Sequence, residues 1–174
     1  GGAVGKATDS AGLRRLFEDL IAQGAENIDL VTPTHFLPTI LPALSPKLPV
    51  PVVYNCGGYE RVETLRALEG CVDIYLPDFK YADARLAGQL SGAADFFPVA
   101  ADAIREMVRQ VGAVRWKGEK VTRGVIIRHL ILPGNVENSL RVLDWIGENF
   151  APGEVLVSLM RQYTPMGGLP APLC

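Results

Sequence analysis

An alternation along the chain constrains its fold more than any other feature. Five short apolar stretches, at 27–31, 50–55, 72–80, 124–132 and 155–160, each run into polar or glycine-containing residues. Helical patterns precede the first stretch and follow all but the last. Residues 10–23 carry Leu13, Leu16, Phe17, Leu20 and Ile21 at helical spacing. Asp9 or Ser10 can cap the start of that helix and Gly24 can stop it. A shorter helix over 37–44 contains Pro38 near its start and Pro42 in its middle. Residues 60–68 and 137–150 read as helices that turn Val62, Leu65 and Leu68, and Leu140, Leu143 and Ile146, inward. Between the third and fourth strands lies a longer excursion. It comprises a helix over 83–90, a polar-aromatic loop over 91–97, a helix over 99–111 and an exposed hairpin or loop over 115–123. Strands alternating with helices predict a parallel sheet with helices outside it. No internal boundary is visible, so 1–174 reads as one domain.

Composition narrows the function classes. The chain has 174 residues, 48% hydrophobic and 21% charged, with a net charge of -2. That is a globular balance, and it offers no electrostatic case for a nucleic-acid partner. No apolar run is long enough for a membrane span. Cys56, Cys71 and Cys174 are odd in number and widely spaced, which points to a reducing compartment rather than a disulfide framework. With no cleavable signal at the start, the cytoplasm is the expected location.

Candidate chemistry gathers where strands end. Side chains alternate faces along a strand, so Asp78 and Lys80 share one face and Phe79 takes the other. In parallel α/β folds this is the end where ligands bind, although an ion pair at a strand terminus would read the same way and is worth little. Thr32, Thr34 and His35, then Asn55 and Cys56, then Arg128 and His129, then Gln162 and Tyr163 occupy the corresponding positions of the other strands. In a barrel or half-barrel they would converge on one mouth.

Arg128 interrupts a run of Val, Ile and Leu and therefore needs a partner. That partner is either a carboxylate of the protein, such as Asp78, or a carboxylate or phosphate of a ligand. His35 and His129 have no ligating residue at metal spacing, and Cys56 and Cys71 read as small core residues. Gly57 and Gly58 allow a sharp turn or a close approach to a ligand. Lys80 could serve a barrel lyase through a Schiff base, but the neighbouring Asp78 favours the charged amine. No phosphate-binding glycine loop of the Walker or dinucleotide type is present.

Five blocks, in order, carry a resemblance. They are Val31-Thr32-Pro33-Thr34-His35, Tyr54-Asn55-Cys56-Gly57-Gly58-Tyr59, Asp73-Ile74-Tyr75-Leu76-Pro77-Asp78-Phe79-Lys80-Tyr81, Arg128-His129-Leu130-Ile131-Leu132-Pro133-Gly134 and Ser158-Leu159-Met160-Arg161-Gln162-Tyr163-Thr164-Pro165. Together they resemble the radical S-adenosylmethionine proteins, in the uncharacterised branch related to pyruvate formate-lyase activating enzyme.

The resemblance implies a partial (β/α)6 TIM-like barrel. It also implies a [4Fe-4S] cluster held by a CxxxCxxC loop, and reductive cleavage of S-adenosylmethionine to a 5′-deoxyadenosyl radical that abstracts hydrogen. The acceptor would be a glycyl-radical enzyme or a small molecule, and the reductant a flavodoxin or ferredoxin. By position, Asp78 and Lys80 match the family's active-site strand end, and Arg128 matches an arginine that holds the cofactor. Tyr163 falls near a ligand-contacting residue of the last strand. Asn55 lies at a cofactor-facing strand end. Thr32 and Thr34 stand where many members carry a glycine-rich segment for the cofactor's amino group. The chain contains no CxxxCxxC. The resemblance therefore implies a barrel whose first β/α unit and cluster cysteines lie upstream of Gly1, a fragment inactive alone, with one sheet edge uncovered. Two other readings compete: a cluster-less module that binds a carboxylate or nucleotide at Asp78, Lys80 and Arg128, and the Lys80 lyase.

Overall fold

A computed structural model of the chain describes residues 7–164. The ends of the chain, including Pro165 and Cys174, lie outside the described residues. Twelve helices and strands follow one another much as the periodicity predicts. They are α1 (Ser10–Ala22), β1 (Ile28–Val31), α2 (Leu37–Ala43), β2 (Val52–Cys56), α3 (Val62–Arg66), β3 (Ile74–Pro77), α4 (Ala84–Ser91), α5 (Phe96–Val111), β4 (Arg115–Lys117), β5 (Lys120–Leu130), α6 (Val136–Asn149) and β6 (Val155–Met160). Asp9 caps α1, its carboxylate accepting from the Gly12 N–H at 2.7 Å.

The sheet is mixed but mostly parallel. β1, β2, β3, β5 and β6 lie side by side in chain order, all parallel, and β4 pairs antiparallel with the start of β5. The 115–123 segment is thus a hairpin, and the fourth long strand begins at Lys120 rather than Gly124. Among the described residues the sheet does not close: β1 and β6 are the edges of its parallel part, and the short β4 pairs with β5 alone. Right-handed crossovers between strands laid down in one direction put their helices on one side of a sheet. Burial agrees. Tyr54, Tyr75, Val125, Ile127 and His129 face the helices and are fully buried, whereas Val31, Asn55, Arg128 and Leu130 on the other face are open to varying degrees.

Three expectations need correction. Leu16 and Leu20 of α1 face outward, and Phe17 is the buried residue of that helix. On α6 Leu140 is exposed; the stripe turned inward is Asn138, Ser139, Val142 and Ile146. The expected loop over 91–97 gives way to α5 at Phe96. That ring is buried, edge-on to Tyr81 at 5.2 Å and stacked on Tyr59 at 6.0 Å, which anchors the first turn.

Candidate functional site

The candidate site is a tier of polar side chains on the open face, where β2, β3 and β5 end. Paired residues of parallel strands share a face. Asn55 pairs with Leu76, Asp78 bridges to Arg128, and Arg128 pairs with Ser158, so these side chains rise on one side. Arg128 Nη2 lies 2.8 Å from Asp78 Oδ1 and donates to Asn55 Oδ1, also at 2.8 Å. Lys80 Nζ is 3.6 Å from Asp78 Oδ2. The side chains of Asp78, Arg128 and Lys80 are 23%, 26% and 43% exposed. Asp78 is therefore the internal partner that Arg128 required. The pairing is incomplete, because Arg128 Nε is buried without a hydrogen-bond partner. Beside the charges lies a cavity of about 290 Å³, lined also by Tyr81, Leu130, Leu132 and Met160. One anion and two cations against an apolar wall suit a small anionic or zwitterionic ligand.

The turn after β2 is shaped by this tier. Gly58 has φ +82, and a Cβ there would fall 1.9 Å from the Asp78 carbonyl oxygen. The glycine serves a close approach of protein to protein.

Other residues singled out from the sequence go elsewhere. Thr32 is exposed, with φ 50, and its N–H binds the Asn55 carbonyl at 2.8 Å. Thr34, in a 3-10 turn after β1, donates to Glu60 Oε1 at 2.9 Å and lies 3.0 Å from Tyr54 Oη. It belongs to a second cavity, of about 470 Å³, lined also by Tyr59, Glu60, Arg61, Thr64, Asp95 and Val99. Tyr163 is half-buried beyond β6, with its N–H turned back onto the Arg161 carbonyl. His35 is exposed near Glu60. His129 is wholly buried on the helix side, 2.7 Å from the Phe79 carbonyl and 2.8 Å from Ser139 Oγ.

Sequence reasoning missed Glu60, Asn138 and Ser139. Glu60 is buried, and desolvation raises its pKa against the lowering effect of hydrogen bonds from Thr34 and Tyr54. Its polar setting was invisible because Tyr54 and Thr34 come from two other segments. Asn138 and Ser139 left a trace, two polar residues beside an apolar helical stripe.

Cys56 and Cys71 are free. Burial, with Glu60 next, pushes the Cys56 thiol up to about 12. Among the described residues no group of three or more His, Cys, Asp or Glu side chains is placed to hold a metal ion. None of the described helices is long and apolar enough to cross a membrane.

No protein-family model matches the chain. It is 32% identical over 145 residues to an uncharacterized protein of Methanocaldococcus jannaschii. The match covers 81% of this chain and 38% of that relative, so the chain spans well under half the length of the curated protein it resembles.

Proposed function

We propose that this chain is the cofactor-facing part of a radical S-adenosylmethionine enzyme of the activating-enzyme type, built on a partial (β/α)6 barrel. The observation that carries the reading is the tier of Asn55, Asp78, Lys80 and Arg128 at the ends of adjacent parallel strands. The in-order parallel sheet, with helices on one face, supports the barrel as its architecture.

The residues present fit the amino-acid end of S-adenosylmethionine. Asp78 can receive an ammonium group, and Lys80 and Arg128 a carboxylate. The orphaned Arg128 Nε adds a donor that a modest shift of Asp78 or a ligand would satisfy. In the reaction class a [4Fe-4S] cluster supplies the electron for reductive cleavage of the cofactor. Cys56 and Cys71 do not fit that cluster: one thiol is buried and held protonated, and the two lie on different elements. The ligands would come from outside this chain. The chain's own residues bind the charged end of the cofactor, hold it against Leu130, Leu132 and Met160, and keep water from that side. The radical acceptor, a glycyl-radical protein or a small molecule, and a flavodoxin- or ferredoxin-type reductant complete the proposal.

A second reading, a cluster-less module for small carboxylates, is favoured by the same orphaned Nε. Lys80 as a Schiff-base lysine has less support, because it is exposed and ion-paired rather than desolvated. The test is anaerobic iron-sulfide reconstitution of this chain and of the full-length protein, followed by visible and electron-paramagnetic spectra and an assay of S-adenosylmethionine cleavage. The full-length protein is expected to gain a [4Fe-4S] cluster and cleave the cofactor, with Arg128→Met abolishing cleavage and keeping the cluster. A full-length protein that takes up no cluster sinks the enzyme reading and leaves the carboxylate module.

A further inference from the structure

The stretch that carries Asp78 and Lys80 is held from α6 and from the end of β5. The pairing of β3 with β5 runs out at the Asp78–Arg128 bridge, where the Phe79 N–H binds the Arg128 carbonyl at 2.8 Å. After that point two side chains, His129 of β5 and Asn138 of α6, take over backbone groups of residues 79–83, and Ser139 of α6 backs His129. His129 Nδ1 meets the Phe79 carbonyl at 2.7 Å. Asn138 Nδ2 donates to the Lys80 carbonyl at 3.0 Å, while its Oδ1 accepts from the N–H groups of Ala82 at 2.7 Å and Asp83 at 3.2 Å. A carbonyl can only accept, so His129 carries a proton on Nδ1, and its Nε2 lies 2.8 Å from the Ser139 hydroxyl oxygen. All three side chains are buried.

Burying three polar side chains is costly unless each is satisfied. Here each meets a partner, and two of the three exist to satisfy backbone that sits beside the candidate site. Asn138 fixes both sides of the peptide turn that follows Lys80. His129 fixes Phe79, whose ring lies in the core against Phe97 and Trp145. Since neighbours in an extended chain point to opposite sides, fixing Phe79 inward directs Asp78 and Lys80 outward onto the open face.

We propose that Asn138 and the Ser139–His129 pair are positioning residues for the Asp78/Lys80 site, setting the ion pair from α6 and β5. The proposal rests on the reading of the strand ends as a binding site. It is tested in the full-length protein with Asn138→Ala, Asn138→Asp and Ser139→Ala. The aspartate keeps an acceptor for Ala82 and Asp83, while it loses the donor to Lys80 and sets an oxygen against the Lys80 carbonyl.

Three readouts are used: amide exchange, the NMR resonance of reductively 13C-methylated Lys80, and S-adenosylmethionine affinity by calorimetry. In Asn138→Ala, exchange at Ala82 and Asp83 rises at least about tenfold and β2 and α5 amides are unchanged. The Lys80 resonance moves toward its position in Asp78→Asn, and affinity falls about tenfold. Asn138→Asp restores protection at Ala82 and Asp83 and part of the affinity. Faster exchange with the Lys80 resonance and affinity at their wild-type values would show a scaffold role only and overturn the proposal. Should Asn138→Ala not fold, Ser139→Ala must give the same Lys80 displacement, smaller in size, or the proposal fails. A wild-type protein that ignores S-adenosylmethionine defeats the preceding reading, while the exchange and Lys80 measurements still decide the positioning role.

Discussion

Asp73 stands at the entrance of β3 and Asp78 at its exit, and the protein treats the two carboxylates differently. Asp73 is buried and closed off: Lys47 Nζ is 2.6 Å from Oδ1, Arg123 Nη1 is 3.6 Å from the same oxygen, and the Val52 N–H donates to Oδ2 at 3.1 Å. Both oxygens are occupied by groups that tie neighbouring segments to the strand. Asp78 also meets two cations, but it borders a cavity and its guanidinium partner keeps an unpartnered Nε. Two carboxylates on one strand thus separate into a structural tie and a candidate binding group. Charge alone does not distinguish them; the difference lies in whether the polar groups around each are fully used.

That contrast can be broken in order of expected effect. Asp73→Ala leaves the buried Val52 N–H without its acceptor and removes two charge pairs, and should cost about 3 kcal/mol in urea denaturation with ligand affinity untouched. Asp78→Ala, at a partly open pair, should cost about 1 kcal/mol while abolishing binding. Equal stability losses from the two changes would erase the distinction. Combining Asp78→Ala with Arg128→Met should recover stability relative to the sum of the single changes, because the second change removes the charge that the first one strands. A double-mutant cycle measures that coupling, and simple additivity would contradict the pairing.

The smallest expected effects are pH-dependent and opposite in sign. Glu106 is held down to about 2, chiefly by its hydrogen bond from Arg109. Its contribution is present above the ordinary value of 4.5 and is lost as pH falls from there toward 2, so Glu106→Gln should flatten the acid limb of the stability curve. Glu60 is raised by burial, so the folded state keeps a proton that the unfolded chain has lost. Stability therefore declines as pH rises above 4.5, and Glu60→Gln should remove that decline. Denaturation midpoints across pH for both variants would reveal a wrong sign directly.

The order of elements was legible because each strand and helix states its own period. Where sequence reading failed, the deciding partner came from another segment. Leu140 fits an inward stripe as well as Asn138 does; only the unpaired backbone of residues 79–83 favours the rotation that buries the amide. Leu16 and Leu20 satisfy helical spacing, yet no described element covers them. At the site, the shared face of Asp78 and Lys80 followed from strand alternation, and the need of Arg128 for a partner followed from its apolar run. The removal of Thr34 to the Glu60 cavity could not be read, since it depends on a 3-10 turn that carries the chain over to the helix side.

The spacing of the pairings along the chain has a kinetic meaning. β1 finds β2, β2 finds β3 and β5 finds β6 across a single connecting unit: Ile28 meets Val52, Val53 meets Ile74, and Val125 meets Val155. Ile74 must find Gly124 across two helices and a hairpin, a loop roughly twice as long and correspondingly less probable to close. Such a chain would assemble as two locally built blocks that join late along the seam between β3 and β5. The Asp78–Arg128 bridge lies on that seam. The order of assembly would then leave the charged tier until both blocks are already sheltered, and substitutions in the tier should speed unfolding while leaving the folding rate nearly unchanged.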